Sequence, residues 1–286
     1  MLLRTARLPM EYVAFLPLFG PGLALVFWFI SNEKFSRFER VLLGLGASLA
    51  FYPVLLLLCH VVGIPVSSGL IDAVIVASFI LFGWRLYMAA RERPRHNFWK
   101  VPQADTKQIV AGLFLLIVLA LSAYVRIAVV NGLAVPMWAD SYHHTMISQL
   151  LLDNQGLFSS WLPYAPLMTF TYHFGFHSIV ASYHWLTGAD ITRAVVVVGQ
   201  VINFVVVLGS YLLAYRFTGK VWAGNGAALF VGLISPMPAH FFNWGRYPQL
   251  TALAILPAAL ILTVTLLNQP RFSPRLILLT SLVIAG

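Results

Sequence analysis

Apolar residues in this 286-residue chain come in unbroken runs, without the alternation of a half-buried strand. Residues 12–30, 41–63 and 109–130 each approach or exceed the ~20 residues a helix needs to cross ~30 Å of hydrocarbon. Residues 70–90, 191–215 and 250–267 repeat the pattern, and residues 221–234 form a shorter run. Each predicts a transmembrane helix, because backbone polar groups in lipid must be satisfied within the segment and these runs lack the period of barrel strands. Residues 174–186 are short for a span and predict a segment that enters and returns or lies in the interface. Residues 276–286 begin another apolar run and stop before it could cross, which implies that the natural chain continues. The fold class expected is all-α: a polytopic transmembrane helical bundle with external juxtamembrane helices.

Composition sharpens this picture. Hydrophobic residues make up 60% of the chain and charged residues 9%, against roughly a quarter charged in soluble domains. No soluble fold hides that much apolar surface. The net charge of +9 would suit a nucleic-acid partner if the cations formed one stripe. They fall instead in clusters at the ends of the apolar runs, so membrane lipids are the partners expected and nucleic acid is not. The first segment carries Arg4 and Arg7 but no small-residue cleavage site before Ser31, and reads as a retained first span. Cys59, the only cysteine, lies in an apolar run and can form no internal disulfide.

The clusters also set orientation. Lys34, Arg37 and Arg40 follow the first run, and Arg91, Arg93, Arg95, Lys100 and Lys107 follow the third. Arg216 with Lys220, and Arg271 with Arg275, mark two later turns. Residues 127–192 hold no Lys or Arg at all, although Asp140, Asp153 and Asp190 are there. Cations favour the cytoplasmic side, so 127–192 and 235–249 are expected as external loops on one face, at the cost of leaving Arg4 and Arg7 outside. A boundary within residues 92–107 would divide an N-terminal three-span region, 1–107, from a module at 108–286 that carries the candidate chemistry.

That chemistry gathers in three places. Asp140, His143 and His144 stand at i, i+3 and i+4, one face of a helix beginning near Ser141, with Asp140 as its cap. Such a trio could be a base held by imidazoles or could hold a divalent metal, while the plain alternative is a capping Asp followed by interfacial histidines. His173 and His177 are one helical turn apart, a spacing that suits a shared metal or one phosphate. Arg246 is the sole cation of the second loop and is flanked by Trp244 and Tyr247. Its planar fork matches phosphate oxygens, whereas a snorkelling interfacial Arg would explain it without a ligand. Arg126, near the outer end of the fourth span, invites the same two readings with the snorkelling one favoured, and His184 reads as structural.

The run Trp138-Ala139-Asp140-Ser141-Tyr142-His143, in a long external loop after an outward span, resembles the GT-C class of membrane glycosyltransferases. These are polyprenyl-phosphate-sugar-dependent enzymes related to protein mannosyltransferases and aminoarabinose transferases. The likeness extends to Leu186-Thr187-Gly188-Ala189-Asp190 and to Tyr215-Arg216-Phe217-Thr218-Gly219, and covers roughly residues 109–267. It implies a polyprenyl-phosphate sugar donor and a bacterial or archaeal plasma membrane with the active face outward. It further implies that Asp140 is a base or metal ligand and that Arg246 engages the lipid-linked phosphate. Tyr142 and His143 stand where a second carboxylate would be sought, a departure from the usual acidic pair that bears on metal dependence.

Together these readings give an expectation. Asp140 deprotonates an acceptor, His143 or His144 orients it, His173 and His177 line the pocket, and Arg246 with Trp244 and Tyr247 holds the donor headgroup. The alternative is a polytopic transporter or lipid flippase, whose polar groups would sit at mid-membrane on broken helices.

Overall fold

In the computed structural model, which describes residues 10–31, 33–91, 105–170 and 172–286, the apolar runs fold as helices and no strand occurs among the described residues. The first run is built in pieces: α1 (Met10–Val13), a 3-10 turn (Leu16–Phe19) and α2 (Gly20–Phe29). Pro17 and Pro21, which fit a helix only in its first turn, fall at these restarts. Ser36 then accepts a hydrogen bond from Glu39 N while Glu39 accepts from Ser36 N, a capping box that starts α3 (Arg37–Val62). Gly63, left-handed at φ +71°, stops it. α4 (Ser68–Arg91) and α5 (Thr106–Val130) follow, α5 capped by Asp105.

Two shorter helices, α6 (Ala139–Asp153) and α7 (Gly175–Thr187), precede α8 (Ile191–Thr218), which Asp190 caps through Thr192 N and Arg193 N. α9 (Val221–Leu229) passes into a π-helical turn (Phe230–Ile234). The chain continues through α10 (Ala239–Asn243), α11 (Tyr247–Leu267) and α12 (Pro274–Ala285). Six segments are long and apolar enough to cross a bilayer: Met10–Phe29, Arg37–Val62, Ser68–Arg91, Thr106–Val130, Ile191–Thr218 and Tyr247–Leu267. The protein is an integral, multi-pass membrane protein and an all-α polytopic bundle.

α8 is the axis of packing, with α3, α7, α9 and α11 around it; α2 and α12 lean on α3. The most apolar stretch of α8 is 78% buried, against 17% for α4 and 22% for α5, whose Phe79, Ile80, Leu116 and Ile117 face outward as side chains in lipid do. Polar bonds knit the interior where hydrophobicity cannot favour one neighbour over another. Ser48 of α3 accepts from Gly22 N and donates to Phe19 O, and Asn225 donates to Ala111 O. One apolar core runs through both sides of the expected boundary. That boundary falls mostly on residues 92–104, outside the described residues, as do Arg4, Arg7, Arg93, Arg95 and Lys100.

Cations separate the two ends of the bundle. Arg216 pairs with Glu39 at 3.1 Å and Lys34 with Gln269, which brings the start of α3 and the ends of α8 and α11 together at one end with Arg91, Lys107, Lys220, Arg271 and Arg275. At the opposite end Val66 N donates to Gln155 O and Thr192 Oγ1 to Ala134 O. The loops before α6, α7, α8 and α11 gather there, and Arg193 pairs with Glu11.

Two short segments behave differently from the pattern of the sequence. α7 does not lie in the interface: Phe176 to Tyr183 are all buried, against α3, α4, α6, α8 and α11. Of its buried polar members, Ser178 donates to Gly175 O and His177 pairs with His144, while Ser182 Oγ and His177 Nδ1 have no partner among the described residues. The 221–234 run starts at the basic end as expected but offers only nine α-helical and five π-helical residues, roughly 21 Å of rise, short of a full hydrocarbon core.

Candidate functional site

α6 begins two residues earlier than its sequence suggests. Trp138, held at φ +71° and ψ 155°, a region costly for any side chain, turns the chain so that Ala139 opens the helix. Asp140 therefore stands in the first turn and not at the cap, and no side chain caps the helix. Its carboxylate sits near the positive end of the helix dipole and is left available to the loop opposite. Asp140, His143 and His144 fall on one side, as their i, i+3, i+4 spacing predicts, and all three line an open cavity of about 470 Å³. His143 is exposed, whereas His144 is buried.

The second loop supplies the facing wall. Gly245, left-handed at φ +71°, reverses the chain after α10. A Cβ there would meet Ser141 N at 2.9 Å and Asp140 Cβ at 3.0 Å, so only glycine lets the two loops approach this closely. The next residue, Arg246, directs its Nε to Asp140 Oδ2 at 3.5 Å and lays its guanidinium over the Trp244 ring, 4.8 Å from the centroid. Both partners of the ion pair stay about half exposed, at 49% for Arg246 and 42% for Asp140, so a substrate can displace either from the other.

Beneath the cavity lies a buried layer. His144 Nδ1 and His177 Nε2 are 2.9 Å apart, one donating and the other accepting. His177 is fully enclosed, and its Nδ1 has no partner among the described residues. Burial pushes His144 down to about 4, the nearby Asp140 partly opposing the shift, and burial with the adjacent imidazoles drives His177 well below the ordinary histidine range. Both are neutral at pH 7. Tyr247 stacks on Phe176 with centroids 4.8 Å apart, meets His144 edge-on, and places its hydroxyl 3.4 Å from Ser141 Oγ.

His173, His177, Trp244 and Tyr247 thus take separate stations. α7 starts only at Gly175, so His173 stands before the helix and lines the cavity with its basicity lowered by partial burial. His177 does not line it. The expected pair on one helical face does not form, although the two rings meet edge to face at 6.4 Å. Trp244 backs Arg246 from outside, and Tyr247 supports the floor. His184 donates from Nδ1 to Ala189 O, a structural bond.

Trp161, Tyr172 and Gln249 also line the cavity and were not singled out from sequence. Trp161 donates to Thr169 O at 2.6 Å and packs with Phe158 and Phe170, folding residues 158–170 into a wall. The density of aromatics between Phe158 and Phe174 was the available signal. Among the described residues no three His, Cys, Asp or Glu side chains converge on one point as a metal ion would require.

Chemically, the cavity offers a carboxylate that can take a proton, a guanidinium that can meet a phosphate, and the neutral imidazole of His144 in the same lining. A family model described as a family of unknown function (DUF6541) matches residues 15–286. No curated protein and no solved structure matches the chain.

Proposed function

The chain belongs to the DUF6541 family, and we propose for it the activity of a membrane glycosyltransferase that moves a sugar from a polyprenyl-phosphate donor to an acceptor hydroxyl. One observation carries the reading: Asp140, in the first turn of α6, and Arg246, more than a hundred residues later, form a half-exposed ion pair at 3.5 Å in the wall of an open cavity at one end of a transmembrane bundle.

A sugar esterified to a lipid phosphate brings its own leaving group, so transfer needs one base and one cation, not the two carboxylates of a glycosidase. Asp140 takes the acceptor proton, the acceptor oxygen forms its bond to the anomeric carbon, and the bond from that carbon to the phosphate oxygen breaks. Arg246 meets the charge left on the lipid phosphate, steadied by Trp244. His143 and His173 border the sugar, and His144, neutral and held by His177, offers a ring nitrogen for orientation. The cations at the far end favour the cytoplasmic side, which directs the cavity outward, as suits a cell-envelope enzyme of a bacterial or archaeal plasma membrane.

Transfer of radiolabelled sugar from polyprenyl-phosphate donors, by the protein in membranes, tests the proposal. Activity that disappears in Asp140→Asn and Arg246→Ala proteins of normal abundance supports it. No transfer by the wild type across a broad donor and acceptor panel would favour the transporter or flippase reading.

A further inference from the structure

α11 begins without the acceptor that a helix N-terminus needs. Its N-cap residue is Arg246, whose side chain has no oxygen to accept a bond from the first turn. Pro248 brings no N–H, and the N–H groups of Tyr247 and Gln249 find no acceptor among the described residues. Two other long helices that start at this end are supplied: Ser67 Oγ accepts from Leu70 N of α4, and Asp190 accepts from Thr192 N and Arg193 N of α8. At α11 a guanidinium instead stands at the positive end of a 21-residue helix, where a cation is unfavourable and an anion is favoured. Only the half-exposed Asp140, on α6, answers it, at 3.5 Å from Arg246 Nε.

A second observation comes from the facing wall. His144 is 4% exposed yet lines the same cavity as Arg246, Pro248 and Gln249. Its one side-chain hydrogen bond among the described residues joins Nδ1 to His177, and its ring meets Tyr247, the first residue of α11, edge-on at 5.7 Å. Gly245 O approaches the ring without the geometry of a second bond. Nε2 is thus the ring nitrogen that this buried side chain leaves open to the cavity. When His177 donates across the shared bond, His144 carries its proton on Nε2 and presents a donor there.

We infer that the first turn of α11 seats a phosphate ester, with Gln249 N, the Gln249 side-chain amide, the Arg246 Nη groups and His144 Nε2 as its donors. The guanidinium and the helix terminus, which repel each other, then share one anion. The inference deepens the proposed transfer reaction and rests on it for the lipid as the source of the phosphate. A phosphate in this seat competes with Asp140 for Arg246 and releases the carboxylate for its acceptor.

The protein in neutral maltoside detergent, melted with farnesyl phosphate, farnesol or inorganic phosphate, tests the site. Farnesyl phosphate should raise the melting temperature, farnesol should not, and inorganic phosphate should act only at far higher concentration. Gln249→Glu places a carboxylate in the first turn of the uncapped helix. Without ligand it should melt above the wild type, while farnesyl phosphate should bind about ten- to hundred-fold more weakly. A purely structural Gln249 would not move the two readouts in opposite directions. Gln249→Ala keeps the backbone donor and should weaken binding only about threefold. Farnesyl phosphate binding unchanged in Gln249→Glu, equal stabilisation by farnesol, or a loss in Gln249→Ala as large as in Gln249→Glu would each overturn the assignment. Inorganic phosphate as effective as farnesyl phosphate would overturn the lipid as the source. Absence of sugar transfer with phosphate binding intact would sink the proposed reaction and leave this site standing.

Discussion

Two arginines near the same end of the bundle are held in opposite ways. Arg246 is half exposed, opposite a carboxylate and over a Trp ring in an open cavity. Arg126 is enclosed, fixed by two backbone carbonyls, and has no carboxylate in reach among the described residues. The first arrangement can exchange partners quickly, because water screens whichever partner leaves. The second cannot, since release would strand a charge away from water. The contrast separates a place where partners can change from a tie between α5 and the π-helical turn.

Removing the carboxylate is the sharpest way to break this distinction. With Asp140→Asn, transfer should fall by ~10²–10⁴, the usual weight of a positioned base, measured with labelled donor in membranes; a smaller loss would place the base elsewhere. Arg246→Ala should cost ~10²–10³ in the same assay and Arg246→Lys should recover only part, because an ammonium lacks the planar fork. Full activity in Arg246→Ala would erase the difference between the two arginines.

The layer beneath the cavity should respond to pH. His144 titrates near 4 when folded and near 6.5 when unfolded. Between these values the unfolded chain binds the extra proton, so this contribution is fully present above pH ~6.5 and is lost as pH falls toward 4, on the order of 3 kcal/mol. Melting in detergent at pH 5 and pH 8 should show the drop, and His144→Gln should reduce it, His177 keeping its own share. A wild-type melt independent of pH would mean that the histidine layer is wet. Gly245→Ala should cost about 1–3 kcal/mol through its positive φ and its contact with α6, again read by melting. Tyr247→Phe should cost only about 0.5–1.5 kcal/mol, since its hydroxyl makes one long bond to Ser141.

Much of the fold was legible because hydrocarbon is an undiscriminating solvent: a long apolar run has few options besides a helix. The spans and the two-ended charge pattern follow from that. α7 was harder, as thirteen residues with scattered aromatics read equally as a surface helix, and only neighbours on every side decide that it is interior. In the site, the i, i+3, i+4 spacing correctly put Asp140 beside His143 and His144, because that is local helical geometry. His177 went astray since its role depends on where α7 starts, a boundary that Phe174 and Gly175 do not advertise. Arg126 left two readings open because a sequence does not reveal that its guanidinium turns inward to Ser122 O and Gly232 O.

The shortness of α9 with its π-helical turn has a consequence for the bilayer itself. A leaflet next to a segment some 9 Å shorter than the hydrocarbon core must thin or dimple to meet it. The connecting residues 235–238 suit that place, because Pro236 and Pro238 bring no N–H that would need a partner there, and Ser235 N is already bonded to Phe230 O. Headgroups drawn down at this dimple would sit closer to the depth of Arg126, beside Gly232, than headgroups elsewhere around the protein.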